Sequence, residues 1–249
     1  MTYTPFDLRV FPIFIYYFIL SIFSIFLTLK MFLKWRQRKV PAPLYLSIVF
    51  TFLTAAIVIL TVGLAESVIT GFYKEIYRLS LPLAYGMVIF ADIFLFKFVS
   101  YITNSRRKAI LPIIIVGVVV LVMLFLPWNW WGVPPEDYEG VLNIRLYSTM
   151  SLVLYSYIIY ILIAITCRKV MKKTEDNITR IGLILLFYAM ICMILFFLMF
   201  IGDTLMIVLF DHPGYSEFVY VAWVFAIIFY ILSYLSLVMP KWLVNRIQK

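Results

Sequence analysis

The stretch "FADIFLFKFVSYITNSRRK", residues 90–108, sets one carboxylate, Asp92, inside an apolar run and closes that run with Arg106, Arg107 and Lys108. A long apolar run ended by cations reads as a helix crossing a bilayer. Its backbone hydrogen bonds are satisfied within the helix, and the cations hold one end at the water interface. The whole chain has the same character: 65% of its 249 residues are hydrophobic and 13% are charged, with a mean hydropathy of +1.05. So few polar side chains cannot clothe a water-soluble core.

Working outward from residue 90, the chain divides into seven apolar runs, at about 10–33, 43–66, 79–103, 109–127, 146–168, 180–203 and 217–239. Each is read as long enough to span, since a helix needs roughly 20 residues to cross the hydrocarbon. The segments between them are polar or helix-breaking, such as "KWRQRKVPAP", "PWNWWGVPPEDYEGVLNIR" and "CRKVMKKTEDNITR". The expectation is a single all-α domain, a polytopic seven-helix bundle of a multi-pass cell-membrane protein. "MTYTPFDLRVFP" carries an acidic residue and a late Arg9, and the run after it is too long for a signal sequence, so the first run is expected to stay as a helix.

The charges set the orientation. Of the 21 Lys and Arg residues, all but Arg9, Lys74, Arg78 and Arg145 fall after odd-numbered runs or near the inner ends of those runs. The other side collects Asp7, Glu66, Glu75, Glu136, Asp137, Glu139, Asp203, Asp211 and Glu217. The positive-inside rule places the N-terminus outside and the C-terminus in the cytoplasm. The formal charge of +9 therefore reads as topology, and nucleic acid is not an expected partner. Trp128, Trp130 and Trp131, beside Pro134 and Pro135, read as an interfacial aromatic belt or as a lid over a ligand.

Depth singles out Asp92. If the third run enters from outside near Leu79, Asp92 lies about 20 Å down a hydrocarbon layer roughly 30 Å thick, while Lys97 is near enough to the far surface to snorkel. Glu66 and Asp203 fall near outer ends and are expected to reach water. An Asp at mid-helix costs about 2.5–3.5 kcal/mol to insert, so it should face the bundle interior, paired or protonated. Tyr85 shares nearly its face, whereas Lys97 lies about 140° around the helix, an awkward ion-pair partner. Two readings follow. Asp92 is a responsive group inside a ligand site with Tyr85, Ser151 and Tyr155, or it is helix glue bonded to hydroxyls such as Ser148, Ser151 or Ser156. Tyr147, Ser151 and Tyr155, with Ser148, Ser156 and Tyr160, recur along the fifth run at helical spacing, a polar face suited to either reading.

Other chemistry is sparse. His212 is the single histidine and sits beside Asp211 in a turn, Cys167 and Cys192 read as membrane-compatible hydrophobes, and Asn177 lies in a glycosylation-like triplet on the cytoplasmic side. No hydrolase, phosphate-loop, zincin or CxxC pattern occurs, so no reaction and no cofactor is expected. The seventh run lacks the lysine of a retinal protein, and neither the Asp-Arg-Tyr nor the Asn-Pro-x-x-Tyr motif of rhodopsin-like receptors occupies its place. The Pro-Gln signature of small seven-helix sugar transporters is absent as well.

Three stretches, "FVSYITNSRRKAILPIIIVG" at 98–117, "KKTEDNITRIGLILLFYAM" at 172–190 and "YLSLVMPKWL" at 234–243, resemble the N-terminal seven-helix sensor region found ahead of prokaryotic histidine kinases and related signalling proteins. The resemblance implies a receptor-like prokaryotic sensor. An effector usually follows the seventh helix in that family, and here ten residues follow Met239, so the signal is expected to leave through cytoplasmic loops to a separate signalling protein. Arg106, Arg107, Lys108, Arg168, Lys169, Lys172 and Lys173 are the candidate contacts, to that partner or to anionic lipid. A small transporter or transporter subunit built around Asp92, or a ligand-free scaffold, is the alternative.

Overall fold

The computed structural model describes residues 3–39, 41–104, 107–126, 144–210, 212, 215–239 and 245. Among them the apolar runs form helices α1 (Phe11–Arg38), α2 (Pro41–Thr70), α3 (Glu75–Ile102), α4 (Ile110–Leu124), α5 (Ile144–Met171), α6 (Asn177–Phe210) and α7 (Glu217–Val238), with no sheet beyond an isolated Pro5–Phe72 bridge. Six of the seven contain apolar segments of 20 to 31 residues, long enough to cross a membrane, and α4 is the exception. Its 15 residues make about 22 Å of helix against roughly 30 Å of hydrocarbon. The run expected at 109–127 thus ends its helix three residues early, at Leu124. Pro127 follows closely, and the residue before a proline is driven out of the α region. α1, α2, α5 and α6 extend beyond the expected stretches, α6 by seven residues to Phe210, through the further apolar residues 205–210.

Local chemistry ends each helix. Lys39 closes α1 in the left-handed region at φ 49°, its N–H on the Trp35 carbonyl at 2.7 Å. Gly71, at φ 73°, closes α2 in the same way. Two carboxylates serve helix starts: Glu66 accepts from the Tyr77 N–H of α3 at 2.9 Å, and Asp203 accepts from the Ser216 N–H preceding α7 at 2.8 Å. Asp203 was expected to reach water; it is instead only 9% exposed, because the start of α7 folds over it.

Successive helices run antiparallel, so the bundle has a head end, where α1, α3, α5 and α7 begin, and a tail end, where they finish. α1 packs on α2 and α7, α3 packs on α2 and α5, and α6 joins α5 to α7, which closes a ring of six. α4 lies outside the ring against α3 and α5. Only Gly117, Val120 and Leu124 of α4 are buried, while Leu111, Ile115, Val119 and Val122 face outward. α1 likewise turns Phe18, Ile22, Phe26 and Leu29 outward. So much exposed apolar surface on a water-soluble protein would aggregate; on a multi-pass membrane protein it faces acyl chains. Inside the ring, small residues bring backbones close. Gly63 of α2 is one, since a Cβ built there would lie 2.6 Å from the Ser80 Cβ of α3.

At the head end the N-terminal segment is strapped across the bundle. The Phe6 N–H bonds the Gly71 carbonyl at 2.9 Å, the Tyr73 N–H bonds Thr4 at 3.0 Å, and the Tyr220 hydroxyl donates to the Arg9 carbonyl at 2.8 Å.

Candidate functional site

Asp92 is completely buried, at 0% exposure. The Ser156 hydroxyl donates to its Oδ2 at 2.6 Å and the Tyr160 hydroxyl to its Oδ1 at 2.8 Å. Both donors come from α5 at i, i+4 spacing and present one face to α3. Lys97 takes no part: it is exposed, its ammonium 5.2 Å from the centre of the Tyr45 ring.

Directly headward of this cluster lies a cavity of about 100 Å³ between the helices of the ring. Its wall draws on six helices: Tyr17 of α1, Ala56 of α2, Ala84, Tyr85 and Val88 of α3, Thr149 and Leu152 of α5, Phe196 and Phe197 of α6, and Trp223, Ala226 and Phe229 of α7 among others. Space remains because Ala56, Ala84 and Ala226 sit where larger side chains would meet. Val88 and Leu152 are each one turn headward of Asp92 and Ser156, so the carboxylate cluster lies under the floor. Tyr160 makes that junction: its ring packs at 5.8 Å from Phe197 and 6.4 Å from Phe229, both of the cavity wall. Among the described residues no Asp, Glu, Lys, Arg or His lines the cavity.

The residues expected to form one ligand site separate here. Tyr85 lines the cavity and Asp92 lies below it. Ser151 bonds back to the Tyr147 carbonyl of its own helix at 2.8 Å. Tyr155 turns to α4, donating to the Ile113 carbonyl at 3.1 Å. The polar ladder of α5 is accordingly split: Ser148, Ser156 and Tyr160 point inward, while Tyr147 is 57% exposed.

Tyr17, Thr149, Trp223 and Tyr230 escaped the sequence reading. Trp223 and Tyr230 stand seven residues apart on α7, a spacing that puts them on one face, and that was the available signal. Both are buried, at 6% and 3% exposure, with the Tyr17 hydroxyl beside the indole and the Thr54 hydroxyl beside the Tyr230 hydroxyl.

At the tail end Lys108, Arg168, Lys169, Lys172 and Lys173 are exposed. Arg106 and the Arg107 side chain lie outside the described residues, as do the tryptophans of 128–131 and Asp211. No three His, Cys, Asp or Glu side chains gather into a metal-binding group among the described residues. Compared with known protein families, with curated proteins and with solved structures, the chain has no significant match.

Proposed function

We propose that the chain is a receptor-like sensor crossing the cell membrane seven times, head end outside and tail end in the cytoplasm, and that it passes its signal to a separate cytoplasmic protein. The observation that carries the reading is the stacking of an apolar cavity on a buried three-residue polar cluster that ties α3 to α5. A ligand seated in the cavity would press on Phe197 and Phe229, and through Tyr160 on the tie between two helices that end among the basic tail segments. Each end of that chain is packed side chain against side chain, which is what mechanical coupling between sites requires.

Packing of the tail half favours sensing over transport. Phe50, Phe98, Ile163, Leu186 and Met190 are fully buried there, packing the bundle tailward of the cavity. The α4 helix, short for a span, sits against the ring from outside. The exposed tail cations supply a surface for an acidic partner beside the headgroups of anionic lipid.

The test is photocrosslinking from position 172 in native membranes, followed by identification of what is joined to the chain. A kinase or other signalling effector is the expected product; a transport ATPase or a porter subunit would overturn the sensor reading.

A further inference from the structure

We infer that the outer seam between α2 and α3 at the tail end is a binding site for one anionic phospholipid, its phosphate on Lys97 and an acyl chain along a row of phenylalanines. The site goes beyond the sensor reading and uses none of it; it requires only that the bundle crosses a bilayer.

The pattern begins on α3. Phe90, Phe94, Lys97 and Tyr101 follow one another at i, i+4, i+7 and i+11, which places them on one helix face. Phe90, Lys97 and Tyr101 are exposed, so that face is turned out of the ring. Tyr45 and Phe52, seven residues apart on α2, meet it across the seam. The Phe52 ring stacks at 5.4 Å on Phe90 and at 5.7 Å on Phe94, with interplanar angles of 25° and 22°. Nearer the tail, the Lys97 ammonium lies 5.2 Å from the centre of the Tyr45 ring, and that ring lies 6.0 Å from Tyr101.

Depth gives the lysine a need. α3 has 28 residues and ends at Ile102, so its length of about 42 Å overhangs roughly 30 Å of hydrocarbon by about 6 Å at each end. Lys97 stands about 7 Å from the tail end of α3, at the edge of the hydrocarbon, and its stem carries the ammonium to the level of the headgroups. No carboxylate among the described residues pairs with it, and the face of Tyr45 attracts the cation without neutralising it. A lipid phosphate supplies the missing charge. Phe90 is about 10 Å headward of Lys97, within the roughly 15 Å of hydrocarbon in one leaflet, so a lipid whose phosphate meets Lys97 lays its chain on the three phenylalanines. A zwitterionic headgroup brings a cation of its own to the same place, which favours an anionic one. Lys30 of α1 is the internal comparison: it too is exposed, but it stands 4.4 Å over Phe26 of its own helix rather than across a seam.

The test uses phosphatidylglycerol and phosphatidylcholine carrying the same diazirine-bearing acyl chain. Each is photolysed as a trace with the purified full chain in nanodiscs of unlabelled phosphatidylcholine, and the joined peptides are sequenced. Phosphatidylglycerol is expected to label residues 45–52 and 90–101 about fivefold more than phosphatidylcholine does, the ratio expected for one cation beside an anionic headgroup. Lys97→Gln should abolish that preference, Lys97→Arg should keep it, and Lys30→Gln should leave it unchanged. Equal labelling by the two lipids in the unmodified chain, a preference that survives Lys97→Gln, or one lost equally in Lys30→Gln overturns the inference. Loss of the preference on adding free glycerol phosphate would assign Lys97 to a soluble phosphate and overturn the lipid site.

Discussion

The hydroxyl of Tyr155 on α5 occupies the space that a Cβ on Gly117 of α4 would need, 2.6 Å from that position, and donates from there to the Ile113 carbonyl at 3.1 Å. One missing methyl therefore lets a helix outside the ring bond to a helix inside it.

Substituting Gly117→Ala sets two effects against each other. Alanine in a helix interior stabilises by about 1 kcal/mol over glycine, whereas overpacking a filled contact costs about 1–3 kcal/mol. The Tyr155 oxygen is held by its bond to α4 and Ile89 crowds the same point at 3.2 Å, so overpacking should win and the melting temperature should fall. Tyr155→Phe in the same chain removes the clashing oxygen, and the pair should be less destabilised than the sum of the singles. A rise in melting temperature on Gly117→Ala alone would show that α4 is not seated as described.

Asp7, just before the membrane-spanning part of α1, gives a pH dependence. Hydrogen bonds from the Arg9 side chain and then from the Arg9 backbone hold its carboxyl below the usual aspartate range. A lowered folded pKa contributes stability above the unfolded value of about 3.9, lost as pH falls through the folded one. The turn at Leu8–Val10 should therefore stay closed at neutral pH and open only in acid below that range. A carbon-13 titration of the Asp7 carboxyl should show a midpoint below the ordinary value, returning to it in Arg9→Ala. An ordinary midpoint in the unmodified chain would remove the Arg9 contact from solution.

Orientation is tested by single cysteines in a chain carrying Cys192→Ser, with Cys167 left buried in the core. In sealed, right-side-out vesicles an impermeant maleimide should label Glu136→Cys at once and Arg38→Cys only after the membrane is opened. Labelling of both from one face would break the seven-span topology, and reversal of the two would invert it.

The helices were legible in the sequence because each is announced by its apolar run, and the Asp92 to Ser156 bond was legible because a stranded carboxylate must find a hydroxyl. The bend of Tyr155 toward α4 was not. Its acceptor is the Ile113 backbone carbonyl, which carries no side-chain signature, and its room comes from Gly117 on a helix that hydropathy alone places on the same footing as the rest. The cavity was hidden for a related reason. Ala56, Ala84 and Ala226 leave a space only when α2, α3 and α7 meet around it, and that meeting depends on α4 standing outside the ring. Hydropathy fixes how many helices form, not their order around a centre.

Asp92 carries the last prediction. Both of its oxygens accept from α5, through Ser156 and Tyr160, and no Lys or Arg among the described residues pairs with it. Asp92→Asn keeps one acceptor and supplies an amide donor that either hydroxyl can accept, so it should melt within about 0.5 kcal/mol of the unmodified chain. Asp92→Leu keeps the volume but strips the partners, leaving two buried hydroxyls unpaired, and should lose about 0.5–2 kcal/mol, in line with hydrogen bonds between membrane helices. Ser156→Ala and Tyr160→Phe should each cost less in the Asp92→Leu background than alone, because the bond each would delete is already gone. Unfolding of the unmodified chain, the four single variants and the two double variants in bicelles measures all of these differences. If Asp92→Leu were as stable as the unmodified chain and the two hydroxyl variants behaved additively with it, the carboxylate would not bridge α3 and α5, and the link proposed between cavity and tail would lose its middle.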